Sequence, residues 1–173
     1  NVFGQIDLIN KCIPLMMSSD YPKIINCSSV LGFISLPYRG LYSATKYSIE
    51  ALTDALRREN YDSKIKFVLI QPGPINTDIK KKSVKHFEKW IDWKKSVHQK
   101  TYENKVIKRL YDNNYKDSFN GYELQPDEVT KILINVLNSK KPKARYKITI
   151  QTKIAQIMTK LLPTNTLDWF FKI

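Results

Sequence analysis

Acidic residues are in deficit in this chain: 16 Asp and Glu stand against 29 Lys and Arg, a formal charge of +13 over 173 residues. A nucleic-acid binder would carry such an excess as clustered cations that release counterions from phosphates. Here the excess is lysine, scattered through many segments beside Asn and Ile, which reads as solvated surface, so no nucleic-acid partner is expected. Glycine is scarce too, five in all, and none are grouped as Gly-x-x-x-Gly-x-Gly. A helix amino terminus wrapped by glycines, the cradle that α/β folds use for a pyrophosphate, is therefore not encoded. Cys12 and Cys27 form neither a C-x-x-C nor a zinc spacing and read as buried free thiols, which suits a reducing cytosol. His86 and His98 lack metal-ligand spacing with Cys or carboxylates, so no metal is expected. No apolar run approaches the roughly 20 residues of a membrane-spanning helix.

What is present is enough apolar material for one domain, 42% hydrophobic and 12% aromatic, which excludes disorder and collagen-like repeats. Residues 5–18 predict a helix with Ile6, Ile9 and Ile13 on an apolar stripe, ended early by Pro14. Residues 23–27 predict a short strand, and 42–60 a long helix with Ala44, Ile49, Ala51, Leu52 and Leu56 inside. Residues 66–71 are nearly all apolar, as a strand covered on both faces should be. This strand, helix, strand order argues for a right-handed crossover in a parallel sheet. Pro126 opens a further helix, with Asp127 and Glu128 at its positive dipole end and Val129, Ile132, Leu133, Val136 and Leu137 buried. Residues 145–150 then alternate as a strand.

Between these elements, residues 78–124 read as a polar insertion. Its rings, Phe87, Trp90, Trp93, Tyr102, Tyr111, Tyr115 and Phe119, either wall an apolar pocket or form the insertion's own small core. Lys80, Lys81 and Lys82 read as a solvated loop. Residues 151–173 form a basic amphipathic tail broken at Pro163. Its Trp169-Phe170-Phe171-Lys172 ending could lie on a membrane surface as a peripheral contact.

Four positions separate Tyr42 from Lys46, which puts a phenol and an ammonium on one face of a helix, one turn apart. The cation can then stabilise a phenolate, making Tyr42 a candidate proton donor and acceptor. Ser29 stands 13 residues before Tyr42, and Pro72-Gly73 closes the strand that follows the helix. Ser28 and Ser29 point to opposite faces of an extended segment, so only one aims at a substrate. Hydroxyls from Ser29 and Tyr42 converging on one carbonyl oxygen would stabilise the negative charge that hydride addition places there. Asn26-Cys27-Ser28 matches a glycosylation sequon only by accident if the strand is buried.

Taken together, Ile25-Asn26-Cys27-Ser28-Ser29-Val30-Leu31-Gly32, Leu41-Tyr42-Ser43-Ala44-Thr45-Lys46 and Ile70-Gln71-Pro72-Gly73-Pro74-Ile75-Asn76-Thr77 resemble, in order and spacing, the carboxyl-terminal half of the short-chain dehydrogenase/reductase family, classical type. The stretch from Arg145 to Trp169 is similar to endings found in retinol, steroid and aldehyde reductase members. The resemblance implies an α/β fold: the carboxyl-terminal part of a Rossmann-type doubly wound parallel sheet, its amino-terminal strands missing, with residues 1–173 a single partial domain. The native protein is expected to be roughly 90 to 110 residues longer at its amino end, from the resemblance and from domain size, and the present piece to be inactive.

By the same resemblance the chain implies an NAD- or NADP-dependent oxidoreductase acting on a hydrophobic alcohol, aldehyde or ketone. Ser29 polarises the substrate oxygen, Tyr42 exchanges the proton, and Lys46 lowers the tyrosine pKa and grips ribose. Asn1 supports a water relay, with a helix cap as its alternative. Pro72 and Gly73 admit the cofactor, the main chain of Ile75 meets the carboxamide, and Thr77 meets the carboxamide or a phosphate. Metal-independent chemistry and a homo-oligomer built on the helices of residues 1–18 and 42–60 are implied as well. A noncatalytic sensor or scaffold that binds a dinucleotide or partner is the competing reading.

Overall fold

The computed structural model describes residues 1–112 and 123–172. Tyr115 and Phe119 lie outside the described residues. Contacts group the chain into two units, residues 1–73 with 127–173, and residues 74–126.

The first unit is built on a parallel sheet of three strands in the order β1 (Lys23–Cys27), β2 (Lys66–Gln71), β3 (Arg145–Lys147). Ile24 faces Phe67 and Cys27 faces Ile70 across the first pair, and Leu69 faces Arg145 across the second. Every β2 residue after Lys66 is buried, as its unbroken apolar run requires. Strand β1 alternates instead, burying Ile24 and Asn26.

Helix α1 (Phe3–Met16) precedes the sheet and helix α2 (Gly40–Glu59) links β1 to β2. Ile9 joins Ile24, Ile65 and Phe67 in one core cluster, with Ile13, Met16 and Leu56 packed against it. Pro14 does not end α1 early; it sits in the last turn, and the Met17 N–H still reaches the Pro14 carbonyl at the cap. The inward face of α2 is displaced from the expected one. Ala44 and Ala51 are exposed, while Ser43, Ile49, Glu50 and Thr53 are buried. Polar partners under the helix decide this: Asn26 of β1 donates to the Thr53 hydroxyl at 2.8 Å and accepts from Gln5 of α1 at 3.0 Å. Asn26 is 4% exposed, so its sequon is sequestered.

Strand β3 stops three residues short of Ile150. The Thr149 side chain accepts from the Thr152 N–H at 3.2 Å and caps a new helix, because a threonine hydroxyl satisfies an orphan amide there.

In the second unit, α3 (Ile79–Trp90) is followed by the short helices α4 (Gln99–Thr101) and α5 (Lys108–Tyr111), with a π-helical stretch Tyr102–Ile107 between them. Lys80, Lys81 and Lys82 therefore lie on a helix, not in a loop; Lys80 donates to the Asp112 carbonyl at 2.7 Å. The Phe87 and Tyr102 rings meet at 6.2 Å. Ile75 bridges Leu124 in parallel, through Asn76 N–H to Leu124 O and Leu124 N–H to Pro74 O.

Helix α6 (Pro126–Asn138) buries Val136 but exposes Leu137, contrary to the expected face. The chain closes with α7 (Ile150–Leu161) and α8 (Thr164–Phe171), separated at Pro163. Among the described residues no helix is long and apolar enough to cross a membrane.

Candidate active site

The carboxyl end of β1, the first turns of α2 and the carboxyl end of β2 meet around Ser29, Tyr42 and Lys46. Ser28 continues the ladder, its N–H bonded to the Ile70 carbonyl at 2.9 Å, and the Val30 N–H reaches the Pro72 carbonyl at 2.7 Å. The two serines diverge as an extended segment demands. Ser28 is 3% exposed beneath Gly32, where an added Cβ would come within 2.4 Å of its Oγ. Ser29 turns the other way and caps a single 3₁₀ turn by accepting from the Leu31 N–H at 3.2 Å.

Tyr42 and Lys46 share a face of α2, with the ammonium 5.8 Å from the centroid of the ring. Tyr42 packs against the cluster of Leu31, Ile34 and Ala155. Burial pushes its phenol above the ordinary value. The Ser29 hydrogen bond lowers it, the Cys27 thiol raises it and Arg39 lowers it, leaving a net rise. The expected lowering by Lys46 is not what the chain alone produces. Its ammonium donates instead to the Cys27 carbonyl at 2.9 Å. Cys27 is not a buried residue, contrary to expectation, because it ends β1 on the exposed side of the pleat, and Cys12 is only half-buried.

Asn1 stands just ahead of α1, and its side-chain amide reaches the Thr45 hydroxyl, next in sequence to Lys46, at 3.5 Å. Gly73 has a reason of its own for lacking a side chain. A Cβ there would lie 2.1 Å from Thr149 Oγ1 and 2.7 Å from Thr152 Oγ1, so the close approach it permits is that of the α7 cap. Ile75 and Thr77 belong to the second unit. The bridge to Leu124 uses the peptide groups of Pro74 and Asn76, which directs those of Ile75 to the other side of that ladder. The Thr77 hydroxyl accepts from the Ile79 N–H at 3.5 Å. No cluster of His, Cys, Asp or Glu suited to a metal exists among the described residues.

Sequence reasoning missed a charged network on the helix that carries Tyr42 and Lys46. Gln71, which precedes Pro72, donates to Glu50 at 2.9 Å; Arg145 donates to Glu50 at 3.2 Å and to Asp54 at 2.7 Å; and Arg57 donates to Asp54 at 2.7 Å. Burial alone would raise the Asp54 carboxyl, but hydrogen bonds and charge from Arg145 and Arg57 outweigh it and hold the group below the usual carboxylate value. The available signal was a glutamine inside an otherwise apolar strand and a glutamate two turns beyond Tyr42 on the same helix. A cleft of about 360 Å³ is lined by Glu50, Gln71, Arg145 and Lys160 and by none of Ser29, Tyr42 and Lys46.

Comparison with known proteins adds lineage. The family model described as short chain dehydrogenase matches residues 1–88. The protein described as "Probable short-chain type dehydrogenase/reductase VdlC" of Helicobacter pylori is 31% identical over 173 residues, covering 100% of this chain and 60% of its own. Among solved structures, a short chain dehydrogenase from Burkholderia cenocepacia in complex with NADP superposes with a TM-score of 0.68 at 15% identity, covering 98% of this chain and 56% of that one. A short chain dehydrogenase/reductase from Burkholderia phymatum in complex with NAD gives 0.61 at 19%, covering 93% and 53%. The fold is thus Rossmann-like, and the chain spans between half and two thirds of the length of these proteins.

Proposed function

The chain belongs to the short-chain dehydrogenase/reductase family, and on that premise we propose that it is the catalytic portion of an NAD- or NADP-dependent oxidoreductase that interconverts a hydrophobic alcohol and its aldehyde or ketone. What supports the reading is the Lys46 ammonium 5.8 Å from the centroid of the Tyr42 ring, with Ser29 near enough to the phenol to lower its pKa.

For carbonyl reduction, a nicotinamide held by Lys46 and the residues after β2 would contribute the hydride. The Ser29 hydroxyl donates to the oxygen as charge develops, and the Tyr42 hydroxyl delivers the proton. A phenol held above its ordinary pKa remains protonated at neutral pH and suits the role of acid. In alcohol oxidation Tyr42 must take the proton, which calls for a lower pKa. Lys46, with the positive nicotinamide ring, would supply that shift once its ammonium turns from the Cys27 carbonyl towards ribose and phenol. Asn1, bonded to the neighbour of Lys46, supports the proton relay. Pro72, Gly73, Ile75 and Thr77 would line the cofactor, with the outward peptide groups of Ile75 suited to a carboxamide.

A homo-oligomer would bury Leu8 and Leu15 of α1 and Leu41 and Tyr47 of α2, which are 61, 76, 86 and 42% exposed. A cytoplasmic setting suits the two free thiols. In this reading the chain is one partial domain of a longer protein and is inactive by itself.

The test is turnover of an apolar aldehyde by the intact protein with NADH or NADPH. Tyr42→Phe is expected to lower kcat by about 10²- to 10⁴-fold, the usual share of a general acid, with cofactor affinity retained. A Phe variant as active as the parent overturns the assignment.

A further inference from the structure

We propose that α7 and α8 form a docking surface for an anionic phospholipid bilayer. Ile150, Ile154, Ile157 and Leu161 recur at intervals of four, three and four, so they line one stripe of α7. They are 69, 52, 58 and 75% exposed. Across the helix, Thr152 and Ala155 are buried, so the helix already has a face that holds it to the protein. Among the described residues only the inner face is covered, and the outer one gathers four large aliphatic side chains, an arrangement that marks an interaction surface.

Helix α8 repeats the division. Phe171 packs inward on the cluster of Leu31, Ile34 and Ala155, while Trp169 and Phe170 are 62 and 51% exposed. Both outward faces are therefore carried on anchored helices.

Charge selects the occupant. Helix α7 contains no acidic residue; Lys153 and Lys160, both exposed, flank its stripe, and the Lys172 ammonium lies 5.4 Å over the Trp169 ring. Aliphatic and aromatic side chains bordered by lysines match the acyl boundary and the phosphates of a bilayer interface. A second copy seated on the same stripe by two-fold symmetry would bring identical lysine rows together, each on a chain of formal charge +13. An anionic leaflet attracts what that pairing repels. The inner faces of these helices share their cluster with Tyr42. If the proposed function holds, a bilayer-dissolved alcohol or carbonyl would reach the site from the docked side; the docking itself does not depend on that reading.

The experiment is cosedimentation of the intact protein with vesicles of phosphatidylcholine alone or mixed with phosphatidylserine. Binding to the mixed vesicles, weakened by salt, is expected. Ile154→Asp with Ile157→Asp should cut it by about tenfold or more, the scale set by removing two buried aliphatic side chains. Lys153→Glu with Lys160→Glu should remove the preference for phosphatidylserine. Both variants face solvent and should keep the parent thermal transition, which separates lost docking from lost folding. No binding by the intact protein, or binding unchanged in the isoleucine variant, overturns the proposal. So does an isoleucine variant that changes the particle mass in light scattering while vesicle binding persists, since a second copy then holds the stripe.

Discussion

Gly73 lacks a side chain for a packing reason that a sequence does not display: two buried threonine hydroxyls stand where its Cβ would be. Gly73→Ala must displace Thr149 or Thr152. It should cost about 1–3 kcal/mol of stability, as overpacking does, read as a lower urea midpoint with an unchanged slope. Ser28 and Ser29 are parted by the pleat: Ser28 is buried, and Ser29 turns away from it to cap the 3₁₀ turn at Leu31. The direction of the Tyr42 shift was not legible. It depends on how much protein surrounds the ring and on where the Lys46 ammonium bonds, and a sequence states neither.

Elements whose periodicity was strong kept their bounds. Strands β1 and β2 span the predicted residues because an apolar run between turn signals leaves little choice. Strand β3 is shorter than its alternation suggested, since the Thr149 cap starts α7 while the pattern continues. The inward face of α2 was misread for a related reason. Hydrophobicity pointed to Ala44 and Ala51, whereas Glu50 and Thr53 are buried because partners from β1, β2 and β3 reach them. Arg145 ties β3 to α2, the helix of Tyr42, through Glu50 and Asp54. Arg145→Met should cost about 2 kcal/mol, between the values for surface and fully buried pairs. Because the Asp54 pKa is lowered on folding, its contribution is present above pH 3.8 and is lost as pH falls through the folded value. Acid unfolding followed by circular dichroism should therefore begin at higher pH in Arg145→Met, where Asp54 loses one of its two arginines.

At the scale of the whole molecule, the proposed homo-oligomer would cover the exposed Leu8, Leu15, Leu41 and Tyr47. Leu8→Lys with Leu41→Lys should shift the intact protein towards monomer in light scattering, and an unchanged mass would place the oligomer contact elsewhere. The sequence by itself determined the α/β alternation, the strand and helix around Ser29, Tyr42 and Lys46, and the lineage, because these rest on local periodicity and on residue spacing. Only the tertiary structure decided which polar groups are buried together, why Gly73 has no side chain, and which face of α7 remains in water. Each of those depends on atoms far apart in sequence, such as Gln71 with Glu50 or Arg145 with Asp54, whose meeting no local pattern encodes.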